Sequence, residues 1–279
     1  MIKKLLFIGA VTFFSFTGTD AQTLKTPAPS PTTTVVQDFG LSNIELSYSR
    51  PAMKGRKIFG DLVPFGQVWR TGANTATTLT FGDEVTIAGT KIKAGKYGVL
   101  TIPDAKEWTL IITKQTDVTS PAAYKQDQDV VRVKVAPAEL PFNIESFTMG
   151  FGNITANSCV LQIMWANQYI QTEISTDVES KVMAQIKSVM EKDTKPYYNA
   201  AMYYVDNGKD MNQALVWFDK AVELNPTAFW IQYQRASCLA KLGKKADAIA
   251  GATKSLELAK KASNGDYVTL NEKLLATLK

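Results

Sequence analysis

One stretch of the sequence concentrates side chains that could bind a charged ligand. Four basic residues, with no acid among them, fall within the eight positions 50–57, and a further arginine follows beside a tryptophan. Guanidinium groups bind carboxylates and phosphates through paired hydrogen bonds, and glycines let a loop backbone approach a ligand closely. The stretch therefore predicts a loop that binds an anionic or a glycan ligand. The candidate ligand-binding residues are Arg50, Lys54, Arg56, Lys57, Trp69, Arg70 and Asn74.

The same residues also have a purely structural interpretation. A long ordered loop can use its arginines to brace the fold, because guanidinium groups pair equally well with nearby carboxylates of the protein. Such carboxylates are available in the sequence at Asp61, Asp83 and Glu84. Both interpretations stay open, and under the first one Trp69 or Tyr48 would supply the ring on which a ligand stacks.

Missing residue types exclude several classes of enzyme. The sequence contains no histidine, so it has no Ser-His-Asp or Cys-His machinery and no histidine-bound zinc. Its two cysteines cannot form a Cys₄ zinc site, and the apolar neighbours of Cys159 and Cys238 predict two buried free thiols. No phosphate-binding loop, dinucleotide-binding glycine pattern, nucleophile elbow or EF-hand spacing is present. We therefore expect no cofactor and no bound metal, and the sequence identifies no catalytic residue.

Carboxylates could still support catalysis without histidine. A glycosidase needs two acidic side chains on either side of the scissile bond, and the fold can bring distant ones together. The acids near the basic stretch are Asp61, Asp83, Asp104 and Glu107. The alternative to binding alone is therefore a histidine-free hydrolase of envelope polysaccharide, in which Arg56 or Arg70 would orient the substrate.

In the sequence around this loop, apolar and polar side chains alternate with a period of two residues. Apolar and polar side chains take turns at residues 44–49, 159–165 and 170–174, and turn signals such as Gly82-Asp83 separate the short runs. Many short strands without an intervening helical period predict an antiparallel β-sandwich or barrel-like domain over residues 35–176. The other predicted strands are Ala76–Phe81, Val85–Ile87, Tyr97–Pro103, Trp108–Thr113, Val130–Val135 and Phe147–Phe151.

The periodicity changes at Thr176. Thr176 and Glu179 have the spacing of a capping box, in which each side chain accepts a hydrogen bond from a free backbone N–H at the start of a helix. Apolar residues then recur on one helical face between Val178 and Met190. The sequence thus predicts an all-α domain over residues 177–279.

The helical half contains a repeat of 34 residues, at which Ala214 matches Ala248. A helix-turn-helix unit of this length, with Ala214, Phe218, Ala221 and Pro226 in this order, resembles the tetratricopeptide repeat. The repeats are predicted at about 195–228 and 229–262, followed by a capping helix at Asp266–Lys279.

The second repeat departs from the pattern. Ala252 stands in place of the phenylalanine and Lys260 in place of the proline. Two repeats are also fewer than the about three that such a module needs to bury its core. We therefore expect the helix at 178–192 and the capping helix to complete the core.

The N-terminal residues predict export. Lys3 and Lys4 precede a short apolar run, Leu5–Phe16, which is typical of a secretory signal peptide over residues 1–21. The run is shorter than the ~20 residues that span a membrane, so we expect no transmembrane segment in the mature chain and a periplasmic or cell-surface location. Residues 22–34 are rich in proline and threonine and predict a linker.

The charge distribution argues against a nucleic-acid ligand. The formal net charge is +5; the helical half contributes +3 of it, spread along its length, and residues 35–176 are neutral. Domains that bind nucleic acids normally present a concentrated basic stripe. We therefore expect no nucleic-acid partner.

A family resemblance rests on the basic stretch and the strands after it. The run from Tyr48 to Phe81, followed by Ala94-Gly-Lys-Tyr97 and Glu107-Trp-Thr109, is similar to secreted bacterial proteins with domain of unknown function 2911. The resemblance covers about residues 29–175, and some members similarly carry C-terminal tetratricopeptide-like repeats. The family has no established activity or catalytic residue, so the resemblance implies domain boundaries and secretion and nothing about chemistry.

Taken together, these patterns predict an exported two-domain protein, an all-β domain followed by an all-α repeat domain. The leading hypothesis is a non-catalytic binding and scaffold protein. Its helical repeats would hold a protein or peptide partner, and its basic loop an anionic or glycan ligand. The alternatives are the hydrolase described above and helices that serve only for docking within the chain or for dimerisation.

Overall fold

The computed structural model describes residues 26–192 and 195–279. The chain divides between Thr176 and Asp177 into two compact units, a β-rich unit and a helical unit. The predicted signal peptide lies outside the described residues, as do the first four residues of the predicted linker. No helix in the described part of the chain is long and apolar enough to cross a membrane.

The strands of the β-rich unit form two antiparallel sheets. One has six strands in the order β1-β2-β3-β6-β7-β8, and the other has four in the order β5-β4-β10-β9. The strands are β1 Thr32–Phe39, β2 Ser42–Ser49, β3 Thr78–Phe81, β4 Val85–Ile87, β5 Thr90–Ile92, β6 Gly95–Ile102, β7 Trp108–Thr113, β8 Asp129–Val135, β9 Ala138–Gly152 and β10 Ser158–Ser175.

The two sheets share one hydrophobic core. Ile44 and Leu79 from the six-stranded sheet and Phe147 and Ile163 from the four-stranded sheet all belong to it and are buried. Alternating sequences bury one face of each strand in this way, because successive side chains point to opposite faces. Strand β1 begins at Thr32, three residues before the predicted start of the domain, so the predicted linker extends too far.

The helical unit contains six helices in its described part, as expected for an all-α domain. The last five helices pack mainly against their neighbours in sequence, so this part of the unit is built of successive hairpins. The first helix buries none of its residues, so the expectation that it completes the core is wrong. The helices are α1 Val178–Met190, α2 Tyr197–Asp206, α3 Met211–Leu224, α4 Phe229–Lys241, α5 Lys245–Lys261 and α6 Gly265–Thr277.

Helix α1 is capped by Asp177 and not by the predicted capping box. The Asp177 side chain accepts a hydrogen bond from the Ser180 backbone N–H at 3.0 Å. The Thr176 hydroxyl instead donates to the Glu84 carbonyl oxygen at 2.8 Å and so belongs to the β-rich unit. An aspartate is at least as good an N-cap as a threonine, which explains the one-residue shift.

Each unit contains one buried thiol, which confirms the prediction for both cysteines. Cys159 lies in β10 and Cys238 in α4, and both are free. Burial raises the pKa of Cys159 to about 11, with a smaller contribution from the Glu173 charge. Burial also raises the pKa of Cys238. The thiolate is the reactive form of cysteine, and burial suppresses it. Each thiol should therefore react only when its own unit unfolds, so thiol labelling measures unfolding.

Candidate functional site

The basic stretch forms an ordered loop between β2 and β3, residues 50–77, which we call the signature loop. Its first part is held by the four-stranded sheet, where the Met53 backbone N–H donates to the Glu145 carbonyl oxygen at 2.8 Å. Its second part is held by the six-stranded sheet, where the Trp69 backbone N–H donates to the Thr101 carbonyl oxygen at 2.7 Å. The loop is thus fastened to both sheets, so the backbone from which its side chains project is fixed.

Two of the candidate arginines brace the backbone. Arg50 Nε donates to the Phe147 carbonyl oxygen at 3.1 Å, and Arg56 donates through Nε to the Met53 carbonyl oxygen at 2.9 Å. These acceptors are carbonyl oxygens, whereas the structural interpretation expected carboxylates. One of the expected carboxylates, Glu84, instead pairs with Lys91 at 3.3 Å.

Trp69 lies in an aromatic cluster, which leaves only part of its ring for the ligand stacking expected from the sequence. Its ring stacks on Trp165, with ring centroids 5.8 Å apart and planes 16° apart, and meets Phe147 edge-on. The other expected platform, Tyr48, is buried and donates its hydroxyl to the Met149 carbonyl oxygen at 2.9 Å. Trp69 can therefore offer a ligand part of its ring, and Tyr48 cannot.

The signature loop borders a cavity of about 440 Å³, which we call the amide cavity. Its lining combines three aromatic rings, three side-chain amides and charged groups of both signs. The rings are those of Phe59, Phe65 and Trp108; the amides are Asn143, Asn167 and Gln168; the charged groups are Arg56, Lys57, Asp104 and Glu139.

A β-bulge in β10 creates one wall of the amide cavity. The pairing of β10 with β9 shifts register on both sides of Ala166, which has a positive φ of 51°. In a regular strand, consecutive side chains face opposite sides, yet Ala166, Asn167 and Gln168 all line this cavity. Bulges of this kind redirect side chains, and a strained non-glycine residue persists only where the surrounding structure holds it.

A second cavity of about 300 Å³ adjoins the first, and we call it the arginine cavity. Arg56 and Arg70 line it together with the stacked pair Trp69 and Trp165. Arg56 also lines the amide cavity, so the two spaces meet at its side chain. Arg70 donates through Nη1 to the Thr119 carbonyl oxygen, whereas its buried Nε has no acceptor among the described residues.

A side-chain cluster steadies the segment that carries Thr119. Arg132 Nη1 donates to the Tyr124 hydroxyl at 2.6 Å, and that hydroxyl donates to the Asp129 carboxylate. Burial and the hydrogen bond to the Asp129 carboxylate raise the pKa of Tyr124 to about 12, so the phenol stays protonated at neutral pH. Tyr124 also packs against the apolar cluster that contains buried Val118, the residue before Thr119, so the network helps to hold the acceptor of the Arg70 hydrogen bond.

The structure brings together four of the seven predicted ligand-binding residues. Arg56, Lys57, Trp69 and Arg70 line the two cavities, whereas the other three do not. Arg50 instead donates to the Phe147 carbonyl oxygen, as described above. The Lys54 backbone N–H donates to the Glu145 carboxylate at 2.9 Å, and the Asn74 side-chain amide donates to the Ser30 carbonyl oxygen at 3.0 Å.

The acids near the cavities differ from those expected. Asp104 lines the amide cavity, but its acidic neighbour there is Glu139, which lies far along the chain. Glu107 instead forms an ion pair with Lys134 at 3.0 Å, and Asp61 is an exposed loop residue outside the cavity lining. The described residues include no group of three or more acidic or cysteine side chains that could hold a metal ion.

Sequence reasoning missed the amide wall altogether. Asn143, Asn167 and Gln168 belong to strands β9 and β10, where polar side chains normally face solvent. No spacing marks them as a group, because the bulge that gathers them is a property of the paired strands.

The comparisons with known proteins agree with the geometry on the extent of the β-rich unit. No curated protein matches the chain. A family model with the description "Protein of unknown function (DUF2911)" matches residues 30–174, just over half of the chain. The match ends one residue before β10 does and contains the whole signature loop. The chain therefore belongs to the DUF2911 family.

Proposed function

We propose that the β-rich unit is a non-catalytic binding module for a saccharide. The observation that carries this proposal is the lining of the amide cavity, in which aromatic rings, amides and charges of both signs surround about 440 Å³. Sugar rings present apolar faces to aromatic side chains and hydroxyl groups to amides and carboxylates, which act as donors and acceptors. The module acts outside the cytoplasm, in the location that the N-terminal residues predict.

The strained bulge supports a binding role for this wall. Keeping Ala166 at a positive φ costs roughly 1–3 kcal/mol, and such strain tends to accumulate at ligand sites. The bulge turns Asn167 and Gln168 toward the same space, where Gln168 Nε2 donates to Asn167 Oδ1 at 3.4 Å. The two amides therefore form a polar edge that can donate hydrogen bonds to the hydroxyl groups of a saccharide and accept hydrogen bonds from them.

We expect Gln168→Ala to abolish saccharide binding. A thermal-shift screen of the full chain with neutral oligosaccharides of glucose, galactose and N-acetylglucosamine tests this. A saccharide at about 100 times its dissociation constant adds about 2.7 kcal/mol to the free energy of unfolding, and the variant should lose that gain. Gln171→Ala is the matched control, because Gln171 lies on the same strand, is exposed and does not line the cavity. If no oligosaccharide stabilises the chain, or if both variants respond alike, the proposal is wrong.

Hydrolysis is the second candidate, because two carboxylates line the same cavity. Asp104 and Glu139 would be the acid pair, in place of Asp61 and Glu107. Chromatography of the same oligosaccharide incubations decides between the two functions. Shorter products that disappear with Glu139→Gln would identify an enzyme, and unchanged substrate supports binding alone.

We also propose that the helical unit is a tetratricopeptide-like module that binds a protein or peptide. Helices α3 and α5 begin 34 residues apart, at Met211 and Lys245, and the equivalent residues Ala214 and Ala248 are both fully buried. Apolar side chains that such a partner could cover remain exposed, among them Leu224 at 65% and Trp230 at 42%.

We expect the full chain to retain a protein from envelope extract that a Leu224→Ser, Trp230→Ser double variant does not retain. Replacing both side chains removes apolar area that a partner would bury. Light scattering over a concentration series supplies the control, and the mass of one chain is the expected result. A mass of two chains would assign these side chains to self-association, and an extract that leaves nothing bound would contradict a partner role.

A further inference from the structure

Arg70 lines the arginine cavity with a guanidinium group that the protein pairs only in part. Arg70 Nε is buried and has no hydrogen-bond acceptor among the described residues. Because protein atoms enclose Nε, a ligand in the cavity would bind through the Nη donors that Arg70 retains beside its hydrogen bond to Thr119.

The charges around this cavity have one sign. Arg56 and Arg70 line the same space of about 300 Å³, and none of the described residues that line it is acidic. Two guanidinium groups beside one cavity repel each other, and an anion bound between them offsets that repulsion. The charge balance of the cavity therefore favours an oxyanion, whose oxygens accept hydrogen bonds from both groups.

Both guanidinium groups are held in place before any ligand arrives. Arg56 is anchored by the carbonyl oxygens of Ala52 and Met53, at 2.6 and 2.9 Å, and Arg70 by that of Thr119. Each group has five N–H donors, so both retain donors for a ligand. Anchored donors lose little side-chain freedom on binding, which improves affinity.

The walls of the cavity strengthen this interaction. Trp69 and Trp165 are stacked on each other and line the cavity with the two arginines. Attraction between opposite charges increases when aromatic surface displaces water, because the local dielectric constant falls.

We propose that the arginine cavity binds the oxyanion of an acidic saccharide whose neutral part lies in the amide cavity. Arg56 lines both cavities and marks their junction. This inference rests on the proposed function for the position of the sugar and on the arginine pair for the anion. Carboxylate and phosphate share the required chemistry, and the experiment distinguishes them.

Binding of simple oxyanions to the full chain tests the arginine cavity directly. The probes are inorganic phosphate and glucuronate, each compared with chloride at equal ionic strength. Tryptophan fluorescence follows binding, because Trp69 and Trp165 line the cavity, and calorimetry gives the affinity. We expect at least one oxyanion to bind, and the tighter of the two identifies the group.

Variants connect that binding to the two arginines. Arg70→Gln and Arg56→Gln should each weaken it at least tenfold, whereas Lys91→Gln should leave it unchanged, because Lys91 is an exposed residue of β5 that does not line the cavity. Arg70→Lys keeps the charge and loses the planar guanidinium donors that match an oxyanion, so it should also weaken binding, and it serves if Arg70→Gln fails to fold. An unreactive Cys159 thiol shows that each variant is folded.

Tetragalacturonate and its fully methyl-esterified form test the link to the saccharide. The acidic form should bind at least tenfold more tightly, and Arg70→Gln should remove the difference. Equal affinity for the two forms would contradict the proposal that one acidic saccharide occupies both cavities.

The outcomes separate this inference from the proposed function. Two outcomes would contradict only the oxyanion proposal for the arginine cavity. One is binding of neutral saccharides without any oxyanion binding, and the other is oxyanion binding that survives both arginine variants. Oxyanion binding that needs Arg70, without saccharide binding, overturns the saccharide module alone. A chain that binds none of these probes overturns both.

Discussion

Gly98→Ala should destabilise the β-rich unit by about 3 kcal/mol or more. Gly98 lies in β6, and a Cβ at this position would come within 1.9 Å of the Gln115 backbone carbonyl oxygen. No side-chain rotation relieves this clash, because the neighbouring atom belongs to the backbone. Either the segment after β7 is displaced or the unit unfolds. Labelling of the Cys159 thiol across a denaturant series measures the loss.

Gly150→Ala is the matched control for this change. Gly150 also lies in a strand of the β-rich unit, and a Cβ there would meet nothing within 4 Å. Its effect on the free energy of unfolding should stay within about 0.5 kcal/mol. Equal losses for the two alanine variants would show that glycine flexibility, and not the contact with Gln115, sets the effect.

The position of Gly98 also bears on the candidate site. The Gln115 side chain donates to the Ala123 carbonyl oxygen at 3.0 Å and accepts from the Lys125 backbone N–H at 2.7 Å. This segment carries Thr119, whose carbonyl oxygen holds Arg70. Because Gly98 has no side chain, the segment whose Thr119 carbonyl oxygen holds Arg70 can lie close to strand β6.

The helices could be read from the sequence because burial in a helix follows a regular period. All four helices that form the two predicted repeats lie within the predicted ranges, and Ala214 in α3 and Ala248 in α5, which the 34-residue spacing relates, are both buried. The N-cap of helix α1 was harder to place, although the predicted change at Thr176 coincides with the division between the two units. Thr176 has an N-cap side chain, but a long-range hydrogen bond to Glu84 competes for it, and sequence spacing does not reveal that contact.

The strands were predicted well where one face is buried and poorly at the sheet edges. Strand β9 begins at Ala138, but only Phe147–Phe151 was predicted, because residues 138–146 of this edge strand are mostly exposed and lack alternation. Two predicted strands, at 159–165 and 170–174, form the single strand β10. The bulge at Ala166 interrupts the alternation between them.

The candidate site was predictable to the extent that it depends on residue type. Arginines in a glycine-containing loop indicated an anion site, and two of them, Arg56 and Arg70, line one cavity. Of the two rings expected to stack on a ligand, Tyr48 is buried, and Trp69 keeps only part of its ring free because the rest packs on Trp165 and Phe147. Carbonyl acceptors such as Thr119 carry no sequence signal at all.

Phe218→Ala should destabilise the helical unit by about 3–5 kcal/mol. Phe218 is fully buried in α3, and its ring lies 6.2 Å from that of Tyr198 in α2. The equivalent position in the second hairpin is Ala252, so the space in the first hairpin depends on this one large side chain. Cys238 belongs to the same apolar cluster, and labelling of its thiol measures the loss.

Val216→Ala is the control, because Val216 lies in the same helix and is 53% exposed, so its effect should stay within about 0.5 kcal/mol. The two thiols also show how far the damage spreads. Phe218→Ala should make Cys238 reactive at lower denaturant concentration and leave the response of Cys159 unchanged, since each unit has its own hydrophobic core. Equal changes at both thiols would mean that the two units unfold as one, and a saccharide site in the β-rich unit would then sense events in the helices.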